Sequence, residues 1–245
     1  MFIILLITII LLILIILFII LKTLKIEKFD SLKNLPKIIW IFWDKGWSNP
    51  PKICTESVNS WIKYNPKWKI IKLDKKNIYN YLPKKYLDKL WNKNQIQTQS
   101  DLIRLNLLNY YGGVWVDSTT ICKKPLDDWL SEVMIAGFFA FNLYPSPSGD
   151  KKRIFSSWFL AAKKNNYLIK TFCKEYNLYW ENRISSNDYF NIYHVFYKLY
   201  KRDDKIKKIW EKVPKLNSHG KNSPRDFSKN NTKVPLLKMV GFHKN

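Results

Sequence analysis

The chain is poor in cysteine, in arginine and in acid, and each scarcity closes off a reading. Cys54, Cys122 and Cys173 are odd in number, far apart and without CxxC spacing, a pattern that suggests neither a disulfide framework nor a zinc site. Free thiols are what such cysteines imply, and they suit a reducing, cytoplasmic setting. Acidic residues number 19 against 42 Lys and Arg, a formal net charge of +23. That surplus invites nucleic acid, because clustered cations neutralise phosphates and release counterions. Only five of the cations are Arg, however (Arg104, Arg153, Arg183, Arg202, Arg225), and the lysines are scattered among Ile and Asn rather than gathered into a stripe. No nucleic-acid partner is expected. Attraction to anionic lipid headgroups is the milder consequence of the same charge.

The N-terminus lacks charge altogether. Met1 to Leu21 is apolar except for Thr8, long enough as a helix to cross roughly 30 Å of hydrocarbon. A cleaved signal would need a basic start, a shorter apolar stretch and a small-residue cleavage site, none of which Met1 to Lys37 supplies. A retained transmembrane helix is therefore expected. No Lys or Arg precedes it and Lys22, Lys25, Lys28, Lys33 and Lys37 follow, so the positive-inside bias puts the globular part on the cytoplasmic face of a single-pass protein. The sequon Asn230-Asn231-Thr232 would matter only for the opposite topology. The expected organisation is an anchor over 1–22, a juxtamembrane linker over 23–35 and one domain over 36–245.

Within that domain, Lys37 to Trp43 (KIIWIFW) is a short β-branched and aromatic run of the kind buried on both faces of a sheet, stopped by Asp44-Lys45-Gly46. Pro50-Pro51 opens a helix reaching about Tyr64, and Trp68 to Leu73 is a second strand with Asp74 as a helix cap after it. One or two short helices broken at Pro83 are expected over Lys75 to Trp91. Ser100 or Thr98 then caps a helix over Asp101 to Tyr111, which exits at Gly112-Gly113. At about 100° per residue Asp101 and Arg104 share a side flanked by Leu105 and Leu108, while Asn106 and Asn109 share another. The asparagine face can be wet, so the Asp101/Arg104 face points inward. A buried acid and base need further hydrogen-bond partners to offset desolvation; a plain structural ion pair is the bland alternative.

Val114-Trp115-Val116 is a central strand that delivers Asp117 at its carboxyl end, where open α/β sheets bind ligands. Asp117, Ser118, Thr119 and Thr120 present a carboxylate and three hydroxyls, oxygen ligands of the type Mg²⁺ or Mn²⁺ takes; an aspartate ending a strand is also a common turn residue. Val133 to Phe141 and Ser156 to Ala162 read as later strands separated by a Pro/Ser/Gly loop, a candidate acceptor-side lid. Asn166 to Arg183 and Asn187 to Lys201 read as helices. His194 falls in the second as a half-buried or core residue, Asp127-Asp128 reads as a solvated turn, and His219 and His243 lie in polar loops from which either could reach a metal, though nothing in their spacing calls for it.

LPKIIWIFW followed by SDLIRLNLLNYYGGVWVDST resembles the DXD-containing sugar-binding glycosyltransferases, specifically the capsular polysaccharide synthesis proteins related to glycosyltransferase family 32. Ser156 to Ala162, Asp188-Tyr189-Phe190 and Pro235 to Met239 look like later landmarks of the capsular group, so the likeness spans most of Leu35 to Met239. The resemblance implies a GT-A-like, Rossmann-type, mostly parallel sheet with flanking helices, and a retaining, metal-dependent, hexosyltransferase-like enzyme. Its donor would be a nucleotide-diphosphate sugar and its acceptor a glycan or a lipid-linked glycan. Carried over by position, Trp43 would stack on the nucleobase, Asp101 and Arg104 would hold donor sugar hydroxyls, Gly113 would belong to the donor site, and Asp117 with Thr119 would ligate Mn²⁺ or Mg²⁺. Thr119 departs from the fuller motif, which has a second aspartate there. A catalytically degenerate nucleotide-sugar or glycan-binding protein of the same fold is the alternative that this departure keeps open.

Overall fold

The run Lys37 to Trp43 becomes β1 (Ile38–Phe42) of the computed structural model, and every residue from Ile39 to Phe42 is buried. The structure describes residues 2–84, 87, 96–181, 183, 186–227 and 234–239, without the side chains of 2–5, 8 and 24–31. The sequon, His243 and much of the helix expected between Lys75 and Trp91 lie outside the described residues.

Chain order is α1 (Phe2–Leu32), β1, α2 (Lys52–Tyr64), β2 (Lys69–Leu73), a short 3-10 turn, α3 (Ile96–Tyr111), β3 (Gly113–Asp117) and β4 (Thr120–Cys122). Then follow α4 (Leu126–Val133), β5 (Phe138–Asn142), β6 (Phe155–Ala162), α5 (Tyr167–Glu181), α6 (Asn191–Arg202), α7 (Asp204–Lys212) and β7 (Leu236–Lys238). Five strands form one sheet in the order β2-β1-β3-β6-β5, and β4 pairs with β7 in a separate two-stranded sheet. β2, β1 and β3 are parallel; β6 runs against both β3 and β5. Four of the five strands therefore point one way, which is the mostly parallel α/β sheet expected, with β6 reversed. Because Phe42 is level with Asp117, β1 and β3 end at the same edge. Antiparallel β6 begins there, bringing Ser157 and Trp158 beside Asp117.

Trp40, Trp61, Trp115 and Phe159 are fully buried between sheet and helices, each contributing about 1.5–3 kcal/mol by leaving water. Their polar edges are satisfied: Trp40 Nε1 donates to the Gly112 carbonyl at 3.0 Å and Trp61 Nε1 to that of Thr120 at 2.8 Å.

Several expectations are corrected. α3 begins at Ile96, so Thr98 and Ser100 lie within it and cap nothing. Asn106 is not wet: it is 1% exposed and exchanges amide hydrogen bonds with Asn177 of α5 at 3.0 and 3.1 Å. A mutual amide pair lets a buried polar face do what an apolar one does elsewhere, which periodicity does not reveal. The strand expected from Val133 starts at Phe138, after α4, a 3-10 turn and left-handed Gly137. Asp127 is not a free solvated residue but takes hydrogen bonds from Lys37 at 2.9 Å and Trp68 at 3.1 Å. Asp74, expected as a helix cap, accepts from the amides of Lys76 and Asn77 in a tight turn leading to the 3-10 segment.

α1 is helical from Phe2 to Leu32, and its described side chains from Ile9 to Leu21 are exposed all round. Among the described residues no helix is long and apolar enough to cross a membrane.

Candidate functional site

The shared edge of β1, β3 and β6 floors a cavity of about 850 Å³ lined by Trp43, Asp101, Arg104, Asp117 and Thr119 among others. Residues far apart in sequence meet there because β1 and β3 end together and α3 lies over them. Trp43 follows β1 directly, its amide donating to the Leu73 carbonyl at 2.9 Å, so its ring is carried by rigid sheet rather than by a free loop.

Arg104 ties the floor together. Its Nη1 donates to the Ser157 carbonyl at 2.7 Å and lies 3.3 Å from Asp101 Oδ1; its Nη2 lies 3.3 Å from Asp117 Oδ1. The guanidinium also sits 5.0 Å over the Trp115 ring. One side chain thereby links α3, β3 and β6, and at 4% exposure it has little access to water. Burial would disfavour its charge, but the Asp101 and Asp117 carboxylates outweigh that and push its pKa up.

The two carboxylates are driven apart. Burial, opposed by Arg104 and reinforced by the Asp117 charge, pushes Asp101 up to about 7. For Asp117 burial acts in the same sense, yet Lys238, Arg104 and the Trp115 indole N–H hold it below the usual carboxylate range. Two acids sharing a site with their pKa values separated in this way have distinct roles available.

The sequence reading missed Lys238. β7 lies antiparallel to β4 with Lys238 level with Thr120, and this places Lys238 Nζ 3.2 Å from Asp117 Oδ2 and 2.6 Å from Thr119 Oγ1. The signals for it were a lone lysine inside the apolar run Pro235 to Met239 and that run's likeness to a landmark of the capsular group. Arg225 lines the same cavity and was also missed, as were Tyr193, whose hydroxyl is 3.0 Å from Ser157 Oγ, and Trp158.

Gly113, expected in the donor site, is corrected: it starts β3, at the strand end opposite Asp117, and does not line the cavity. A Cβ there would fall 2.6 Å from the Ile38 carbonyl oxygen, so glycine is required for β3 to lie against β1. His194 is half-buried and outside the cavity lining, held between Asp188 at 2.7 Å and Asp150 at 2.8 Å. His219 accepts from Arg225 at 2.9 Å; burial, with Arg225 and Arg153 nearby, pushes it down to about 4, so it is neutral at physiological pH.

The fit of a divalent metal follows from these contacts. Both Asp117 oxygens and the Thr119 hydroxyl already face cationic or N–H donors, and among the described residues no group of three His, Cys, Asp or Glu could hold a metal. Hard divalent ions want several anionic or neutral oxygens, and a single carboxylate beside an ammonium and a guanidinium does not meet that need.

The model for the capsular polysaccharide synthesis protein family matches residues 18–232. The chain is 30% identical over 167 residues to the glycosyltransferase afumC of Aspergillus fumigatus, covering 60% of this chain and 41% of that protein. It is 27% identical over 165 residues to the O-glycosyltransferase braB of Annulohypoxylon truncatum, covering 59% and 38%. The chain thus spans about two-fifths of the length of these relatives. Among solved structures it is similar to the PaToxG glycosyltransferase, at 17% identity and a TM-score of 0.46, over 77% of this chain and 80% of that one.

Proposed function

The chain belongs to the capsular polysaccharide synthesis protein family, and from that membership and the cavity we propose that it is a glycosyltransferase moving a sugar from a nucleotide-diphosphate donor to a glycan or lipid-linked acceptor. The observation that carries this reading is the meeting of Trp43, Asp101, Arg104 and Asp117 at one cavity from three separate segments. Trp43 stacks on the nucleobase. Asp101 and Arg104 take donor sugar hydroxyls, which add to the partners Arg104 already has in Asp101, Asp117 and the Ser157 carbonyl and further offset the desolvation of the buried pair.

Transfer breaks the bond between the sugar anomeric carbon and the diphosphate oxygen, whose electron pair stays on the diphosphate. The acceptor hydroxyl oxygen forms the new bond, and its proton leaves with the diphosphate. No side-chain base is required by this balance, which accords with retention of configuration. Stabilising the charge on the leaving diphosphate is then the main catalytic demand.

A membrane anchor belongs to the same proposal. A helix whose described side chains from Ile9 to Leu21 are apolar on every side is suited to lipid rather than water, and the lysines that follow Leu21 favour a cytoplasmic-facing domain.

The test is a donor screen with the 245-residue chain in detergent, with Mn²⁺ and, separately, with a chelator. Slow hydrolysis of at least one nucleotide sugar is expected, with Asp117→Ala and Asp101→Ala reduced at least a hundredfold. Refusal of every common donor, or full activity in both variants, sinks the reading. Donor binding measured by calorimetry with no product would select a binding protein of the same fold.

A further inference from the structure

Lys238 stands where the family likeness leads one to look for a metal. Its ammonium contacts Thr119 Oγ1 at 2.6 Å and Asp117 Oδ2 at 3.2 Å, the same two residues expected to ligate Mn²⁺ or Mg²⁺. This is not a long side chain that happens to fold inward. The Lys238 amide donates to the Pro224 carbonyl at 2.7 Å, and the Met239 amide to the Thr119 carbonyl at 3.1 Å. The backbone on both sides of the ammonium is thus fixed, and the residue is 8% exposed.

A second cation comes from the turn to which that amide is bonded. Arg225 follows Pro224, lines the cavity, and donates one Nη to neutral His219 at 2.9 Å. Its Nε is buried without a hydrogen-bond partner among the described residues. With Arg104 and the exposed Lys45, four cations line one cavity against Asp44, Asp101 and Asp117. Buried charge is stable only when compensated, so the balance at this floor calls for a further anion.

The identity of Thr119 also follows. A divalent ion on a diphosphate is matched by two carboxylates, whereas one ammonium is matched by one carboxylate and can donate its remaining protons to a hydroxyl and to the ligand. Asp117 with Thr119 is the charge count that suits a lysine.

We propose that Lys238, with Arg225 beside it, holds the donor diphosphate and stabilises the charge that develops on it, so that this site works without a divalent metal. The inference rests on the nucleotide-sugar reading above. As the anomeric carbon–oxygen bond breaks, the electron pair moves onto the diphosphate oxygen, toward which the ammonium and guanidinium donate charge-assisted hydrogen bonds.

Binding of inorganic pyrophosphate to the 245-residue chain, measured by calorimetry in detergent with excess EDTA, is the direct test. Wild-type protein binds in EDTA, with affinity changed less than threefold by replacing EDTA with Mn²⁺. Lys238→Met weakens binding at least tenfold and Lys238→Arg less than threefold, the second variant showing that charge rather than folding is lost. Lys238→Met also frees Asp117 and Thr119, so Mn²⁺ restores part of its binding. Binding by wild-type protein only when Mn²⁺ is present overturns the proposal, as does unchanged affinity in a folded Lys238→Met variant. The donor screen is scored separately: metal-independent pyrophosphate binding without turnover of any nucleotide sugar supports the cation site and sinks the transferase reading, while Mn²⁺-dependent turnover does the reverse.

Discussion

A single guanidinium carries much of the site. Arg104 holds Asp101, Asp117 and the Ser157 carbonyl at once, so Arg104→Lys, which keeps the charge and loses the fork, cannot preserve all three contacts. Asp101 supplies a pH signature. With its folded pKa raised to about 7 against an ordinary 3.8, its contribution to stability is fully present below about 4 and is lost as pH rises through 7. Asp117, held low, acts in the opposite sense, its contribution fading only in acid. The expected outcome is that the denaturation midpoint falls between pH 5 and 7.5 in wild-type protein and stays flatter in Asp101→Asn. Ionised Asp101 is also the better acceptor for a sugar hydroxyl, so the donor KM should fall as pH rises through 7, and that slope should vanish in Asp101→Asn. Gly113 gives a purely structural prediction. With φ of +96° and the Ile38 carbonyl 2.6 Å from an added Cβ, Gly113→Ala should cost about 2–3 kcal/mol in chemical denaturation.

Among the elements, the β4–β7 pair matters most and was least legible. Each strand is three residues long and the pairing joins positions more than a hundred residues apart, so no local period announces it. Leu236 is fully buried on β7. Leu236→Ala should lower stability by about 2–3 kcal/mol. It should also weaken pyrophosphate binding, because it loosens the strand that carries Lys238; unchanged binding in that variant would detach β7 from the site. By contrast β1 and β3 could be read from their runs of Ile, Val and Trp, and the exit of α3 from its double glycine. The burial of α3 on both sides could not, since it depends on Asn177 arriving from α5. A helix walled in on two sides has no wet face for a pattern to reveal.

For the molecule as a whole, charge and apolarity are unevenly divided between α1 and the rest. If α1 anchors the chain, the 245-residue protein should stay with membranes through carbonate extraction, and a version starting at Leu35 should not. Protease protection of the C-terminal domain inside vesicles would reverse the proposed orientation. The sequence by itself determined the strands that end at the site, the spacing that puts Asp101 and Arg104 on one side of α3, and Asp117 at a strand's carboxyl end. Those properties follow from short-range patterns: apolar runs, helical spacing and glycine exits. Only the tertiary structure decided what meets Asp117. Lys238 reaches it through a β pairing, and Arg225 joins the same cavity through a turn bonded to β7, contacts between segments distant in the chain that are set by packing rather than by spacing. The residue that looked like a missing metal ligand, Thr119, thereby became the acceptor of a lysine's hydrogen bond.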